Sequence, residues 1–218
     1  MMLVLRVFSA LLSYPTAEMR AALPEMAEFV RGSALVAPAE RDALLALIAG
    51  LGEGDLLDAE ERYSDLFDRG RALSLHLFEH LHGDSRDRGS AMVELKSLYA
   101  AAGYELTSTE LPDYLPVVLE YLSCRELDEA RDMLADCAHI LKVIDRALIS
   151  RRSPYAAVLQ ALLAIAGETP LDAATVPIAN ERPDSIDKEW REEPAFAGAP
   201  LVRASAQGTN AAGGRDVE

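Results

Sequence analysis

The sequence predicts an all-α protein: one helical domain, residues 1–167, followed by a disordered tail, residues 168–218. Three observations predict it. Apolar residues recur at intervals of three and four almost everywhere up to Ala166. No alternation of apolar and polar residues lasts long enough to make a strand. From Glu168 onward the chain turns to Pro, Gly, Ala, Asp and Glu with scattered large apolar residues, a composition that cannot bury enough surface to offset its ordering entropy. A length of 218 residues suits one domain plus a tail.

The elements follow in order. The first helix is expected from about Met2 to Leu12, with Val4, Phe8, Leu11 and Leu12 on one face. Tyr14-Pro15 stops it, because proline pushes the residue before it away from helical angles. Thr16 caps a short helix, and Pro24 divides it from Glu25–Arg31. Pro38 opens a helix to Ala49 that the run Gly50–Gly54 ends. Asp55 begins the next, with Leu56, Tyr63, Leu66 and Phe67 as its buried stripe and Gly70 as its stop. Leu73–Leu81 reads as a short helix closed by Gly83. Asp84 caps a longer one through Ala102, ended by Gly103. ELTSTELPDYLP is a loop leading into a helix to about Ser123. Glu126–Ser150 reads as the longest helix, with Leu127, Met133, Leu134, Cys137, Leu141, Ile144 and Leu148 at helical spacing. Ser153-Pro154 starts the last helix, which ends at Gly167.

Composition excludes several classes. A net charge of −15 repels nucleic acid and anionic membrane surfaces and leaves a basic peptide as a fitting partner. Apolar residues make up 50% of the chain, yet no uninterrupted run reaches the roughly 18 residues that span a bilayer. The opening MMLVLRVFSALLSYP lacks a charged leader and a small-residue cleavage site, so it reads as an amphipathic helix rather than an export signal. Cys124 and Cys137 form no framework, which points to a reducing cytoplasm.

The search for catalytic chemistry finds no active site. SLHLFEHLHGDSRDRG places His76 and His80 on one helix face with Glu79 and His82 near. The zinc-protease spacing needs a glutamate directly after the first histidine, and Leu77 stands there. Hydrogen-bonded histidines without metal are therefore the expectation. Asp84, Arg86, Asp87 and Arg88 make an alternating charge knot, read either as a cap with local salt bridges or as a polar rim for a partner. Gly50–Gly54 lacks the lysine and the strand of a phosphate loop, and Gly83-Asp84-Ser85 is no nucleophile elbow.

ELPDYLPVVLEYLS is different. Pro112 and Pro116 bracket Asp113-Tyr114 and fix the entry into a helix whose apolar side is Leu115, Val118, Leu119 and Leu122. Tyr114 and Tyr121 flank that side. With Asp113 as helix cap the arrangement serves packing; as an acidic, aromatic loop it serves a partner.

Together these two segments, with FSALLSYP near the start and YSDLFD at Tyr63–Asp68, resemble the assembly chaperones of respiratory nitrate reductase, the NarJ type or delta subunit, within the wider TorD-like group. The likeness runs from about Val4 to Gly167. It implies a compact single-domain helical bundle of the TorD-like type, without catalysis and without a cofactor of its own. It implies binding of the apo catalytic (alpha) subunit, including its N-terminal peptide, in the cytoplasm, where molybdenum cofactor and iron–sulfur cluster are inserted before the chaperone leaves. An acidic helical protein suits a basic amphipathic peptide bound helix-in-groove. Glu110, Pro112, Asp113 and Tyr114 match the family's acid–proline–aspartate loop. His76, His80, Asp84, Arg86 and Arg88 fall in the other motif. With Tyr121 these form the expected client-peptide site; which touch peptide and which hold the loop stays open. The same group includes chaperones for dimethyl-sulfoxide-reductase-type enzymes, the alternative client class.

Overall fold

A computed structural model describes residues 2–82, 87–106 and 109–178. Among these residues there are ten α-helices, two short 3-10 turns and no strand.

The first helix, α1 (Leu3–Leu12), buries Leu5, Phe8, Leu11 and Leu12 completely, as its spacing predicts. Its main partner is α7 (Leu115–Ser123). Ser9 Oγ donates to the Pro116 carbonyl at 2.8 Å and the Met2 N–H to Ser123 O at 2.7 Å, so polar bonds pin both ends of this apolar contact. Thr16 caps α2 (Ala17–Gly32) through the Met19 N–H at 3.1 Å. Pro24 does not divide this segment. It sits inside one continuous helix on the exposed side, while Met19, Leu23, Ala27 and Val30 hold the buried face. A proline on the solvent side leaves its orphaned carbonyl to water, and the buried face keeps the helix together.

α3 (Pro38–Gly52) packs along α2. Arg20 ties the two by donating to the carbonyls of Gly52 at 2.8 Å and Gly54 at 2.9 Å, groups that a helix end leaves without partners. Asp55 caps α4 (Leu56–Phe67) at the Asp58 N–H, 2.8 Å. The buried stripe of α4 is Ala59, Tyr63 and Phe67; Leu56 and Leu66 are only half-buried. Leu73–Leu81 is not one helix. Arg71–Leu73 is a 3-10 turn, Leu75 and His76 are non-helical, and α5 spans Leu77–His82. α6 (Asp87–Ala101) ends at Gly103, whose φ of 75° lets the Tyr104 N–H reach Tyr99 O at 2.8 Å.

The longest expected helix is broken. α8 (Leu127–Asp136) and α9 (Ala138–Ser150) meet at Cys137, whose carbonyl accepts the Ile140 and Leu141 N–H groups and opens α9. α8 packs on α7 and α10, whereas α9 packs on α10, α5 and the Arg71–Leu73 turn. The angles at Cys137 stay close to helical, φ −89° and ψ −1°, so the apolar spacing runs through the bend unbroken. α10 (Ala156–Ile165) is the central helix: Val158, Leu159, Leu162 and Leu163 are fully buried, against α1, α3, α8 and α9.

The described residues all lie in one unit, Met1–Asn180. The expected tail boundary at residue 168 falls too early, since Leu171 and Val176 pack against the core. The expectation for residues 179–218 lies outside the described residues. Among the described residues no helix is long and apolar enough to cross a membrane.

Candidate functional site

The two singled-out segments cross each other. His76 and Tyr114 form an isolated antiparallel bridge, in which the Leu77 N–H donates to Asp113 O at 3.1 Å and the Leu115 N–H to Leu75 O at 2.8 Å. Of the two readings left open for Asp113, the cap of α7 is not what the side chain does: the α7 cap position is held by Tyr114, which makes no side-chain cap bond. The Asp113 carboxylate turns across the bridge. Its Oδ2 accepts the Phe78 N–H at 3.0 Å and its Oδ1 lies 3.3 Å from His76 Nδ1, at 0% exposure. It thus serves the first turn of α5, a helix end that carries partial positive charge and free donors. The reason lies in the bridge: it places Asp113 opposite the start of α5.

Around this carboxylate the polar groups are paired. The hydrogen bond to Asp113 raises the His76 imidazole above its ordinary value, with burial opposing. The His76 ring stacks on Tyr114 with centroids 5.2 Å apart. Tyr63 donates its single proton to the Leu12 carbonyl at 2.8 Å, so at 3.1 Å it accepts from the Tyr114 hydroxyl. Burial pushes both phenols up. Tyr99, fully buried, donates to the Pro112 carbonyl at 2.8 Å. His80 Nε2 donates to Ser74 O at 2.9 Å, which fixes the turn before α5. Glu79 and Arg88 pair at 3.1 Å and join α5 to α6. Burial pushes the Glu79 carboxyl up, but Ser74 and Arg88 more than offset it and hold it below the usual range.

The structure therefore brings together His76, Pro112, Asp113 and Tyr114, with His80 and Arg88 on the adjoining turns. Tyr121 stands apart, buried among Tyr99 and Tyr104 with the Arg125 guanidinium 5.6 Å from its ring centre and its hydroxyl on Glu129 at 3.3 Å. Asp84 and Arg86 lie outside the described residues. Glu110 is exposed, beside the exposed Leu111. The apolar side of α7 offers no open groove: Leu115, Val118, Leu119 and Leu122 are buried in the core. Sequence reasoning passed over Ser9, Ser74 and Tyr99 and read Tyr63 as core alone. The available signal was that a buried tyrosine needs a partner for its hydroxyl.

As chemistry, this crossing is a clasp. His76 Nδ1 and His80 Nε2 are both turned to protein partners, and the groups of metal-ligating type among the described residues do not gather into a set of three. The clasp fixes two backbone segments at the edge of the bundle. A separate open groove of about 250 Å3 lies between α1 and α2, lined by Leu3, Val7, Met26 and Phe29 with Arg6 and Glu25 at its margins.

A crystal structure from Archaeoglobus fulgidus, of a protein assigned to redox enzyme maturation, has the same fold, with a TM-score of 0.54 and 20% identity over 74% of this chain and 91% of that one. The chain belongs to the nitrate reductase delta subunit family, whose model matches residues 15–161. It is 43% identical to the nitrate reductase molybdenum cofactor assembly chaperone NarJ of Escherichia coli K12, over 88% of this chain and 84% of the relative. Its identity to NarW of the same organism is 37%, over 88% and 82%.

Proposed function

We propose that this chain is an assembly chaperone of respiratory nitrate reductase. It binds the apo catalytic (alpha) subunit in the cytoplasm, keeps it open to molybdenum cofactor and iron–sulfur cluster insertion, and leaves the mature enzyme. The observation that carries this reading is the 43% identity to NarJ over most of both chains. The clasp supports it, because the quoted motif residues serve to present a surface. Co-purification with nitrate reductase tests it. Capture of the cofactor-free catalytic subunit and not of the mature enzyme is expected; equal capture of both would make the chain a resident subunit. Capture of a dimethyl-sulfoxide-reductase-type subunit instead would change the client.

The client's N-terminal peptide is the element recognised. Its basic residues meet the exposed Glu110 at the shoulder of the clasp, next to Leu111. Pro112, Asp113, His76 and Tyr114 hold that shoulder in place. The groove between α1 and α2 offers a second location, because its apolar lining is open while that of α7 is covered. Calorimetric titration of the peptide separates them. Weaker binding by Glu110→Gln at unchanged melting temperature locates the peptide at the clasp. Weaker binding by Phe29→Ser alone moves it to the groove.

A further inference from the structure

Beyond α10 the chain turns back. Gly167, at φ 79°, closes the helix by letting the Glu168 N–H reach Leu163 O at 2.9 Å. From Glu168 to Val176 the chain forms a strap, tethered to α9 by the Lys142–Glu168 ion pair at 2.6 Å and seated on the core through Leu171 and Val176. Asp145 of α9 is 0% exposed, and neither of its oxygens completes a hydrogen bond among the described residues. The Leu171 N–H of the strap faces this carboxyl and favours its charged form, but neither oxygen completes a hydrogen bond with it. The charged groups of the neighbouring elements are engaged or turned outward. Lys142 is paired with Glu168, and Glu79 of α5 with Arg88. His80 is on Ser74 O. Arg71, Asp136, His139, Arg146 and Asp172 are exposed, and Ala156–Ile165 of α10 carries no charge.

We propose that the Glu168–Val176 strap is a proton-linked cover over α9, closed when Asp145 is neutral and loosened when Asp145 ionises. Only the charged carboxyl suffers from desolvation, so it is the ionised form that opposes the closed strap. Burial pushes Asp145 up to about 7, outweighing the Leu171 N–H of the strap, which by itself would lower it. With the strap lifted, water reaches the carboxyl and its affinity for protons returns to about 3.9. A group whose closed-state value is raised favours the closed state below the open value of about 4, and loses that preference as pH rises through 7. Between pH 8 and 5.5 the closing constant rises roughly thirty-fold on these two values.

Hydrogen exchange on the full chain, corrected for the intrinsic pH dependence of exchange, tests this. Strap amides between Glu168 and Val176 are expected to gain roughly ten- to thirty-fold protection from pH 8 to 5.5, while α10 amides do not change by that factor. Asp145→Asn is expected to show equal strap protection at both pH values. Lys142→Met, which cuts the tether, is expected to lower protection at both and keep the ratio. A wild-type ratio near one overturns the proposal, as does the same ratio in Asp145→Asn or an equal change throughout α10. Should Asp145→Asn fail to fold, the strap-against-α10 comparison in wild type and in Lys142→Met decides.

Discussion

Asp113→Ala tests the clasp directly. The substitution removes a fully buried carboxylate that accepts the Phe78 N–H at 3.0 Å and faces His76 Nδ1 at 3.3 Å. An unsatisfied buried donor costs about 1–3 kcal/mol, and loss of a hydrogen bond to a charged group, here between Asp113 and the part-exposed His76, costs about 1.5–3 kcal/mol more, so about 3–5 kcal/mol in total. A helix cap at a surface would cost about 1 kcal/mol, so the two roles for Asp113 are well separated. For a urea slope of about 2 kcal/mol/M, the midpoint should fall by about 1.5–2.5 M. Urea unfolding followed by circular dichroism at 222 nm reads this, as the signal reports helix content wherever the chain melts. pH sharpens the test. Asp113 raises the His76 value, so the pair's contribution is full below the unfolded value of about 6.5 and is lost as pH rises through the raised folded one. The gap between wild type and Asp113→Asn should therefore narrow from pH 6 to pH 8. A midpoint shift below about 0.5 M for Asp113→Ala would refute the reasoning and return Asp113 to a surface cap.

Tyr63→Phe strands the Leu12 carbonyl and the Tyr114 hydroxyl together and should cost about 1–2 kcal/mol; Tyr114→Phe removes one end of the chain and should cost about half that in the same unfolding assay. Arg152 closes α9 at φ 53°, with the Ser153 N–H on Leu148 O at 3.0 Å, a conformation that strains any side chain bearing a Cβ. Arg152→Gly should raise stability by about 0.5–1 kcal/mol, seen as a melting temperature higher by about 1–4 °C. Purified, dialysed protein should carry no stoichiometric zinc, because His76 and His80 each point a ring nitrogen at a protein acceptor. About one metal per chain, lost in His76→Ala/His80→Ala, would contradict that.

What the sequence determined by itself is what depends on local spacing. Helical periodicity marked the apolar face of α1, and the stops at Gly103 and Gly167 were legible because a helix closed by a left-handed residue favours glycine. The family was legible from two long motifs. The tertiary structure decided where each motif's polar atoms go. Asp113 next to Pro112 looks like a cap for the helix that follows it, and only the bridge between His76 and Tyr114 turns it to α5 instead. The break at Cys137 was hidden because one near-helical residue interrupts the helix without shifting the apolar register; on either side of it α8 and α9 share α10, while α8 also packs on α7 and α9 on α5 and the Arg71–Leu73 turn. Pro24 stayed inside α2 for the complementary reason: burial of Met19, Leu23, Ala27 and Val30 outweighs one hydrogen bond lost on the solvent side. Spacing along the chain reports which residues share a face. Which face meets which, and so which carboxylate is bonded to a helix end, as Asp113 is, or buried without a completed hydrogen bond among the described residues, as Asp145 is, depends on contacts between residues far apart in sequence.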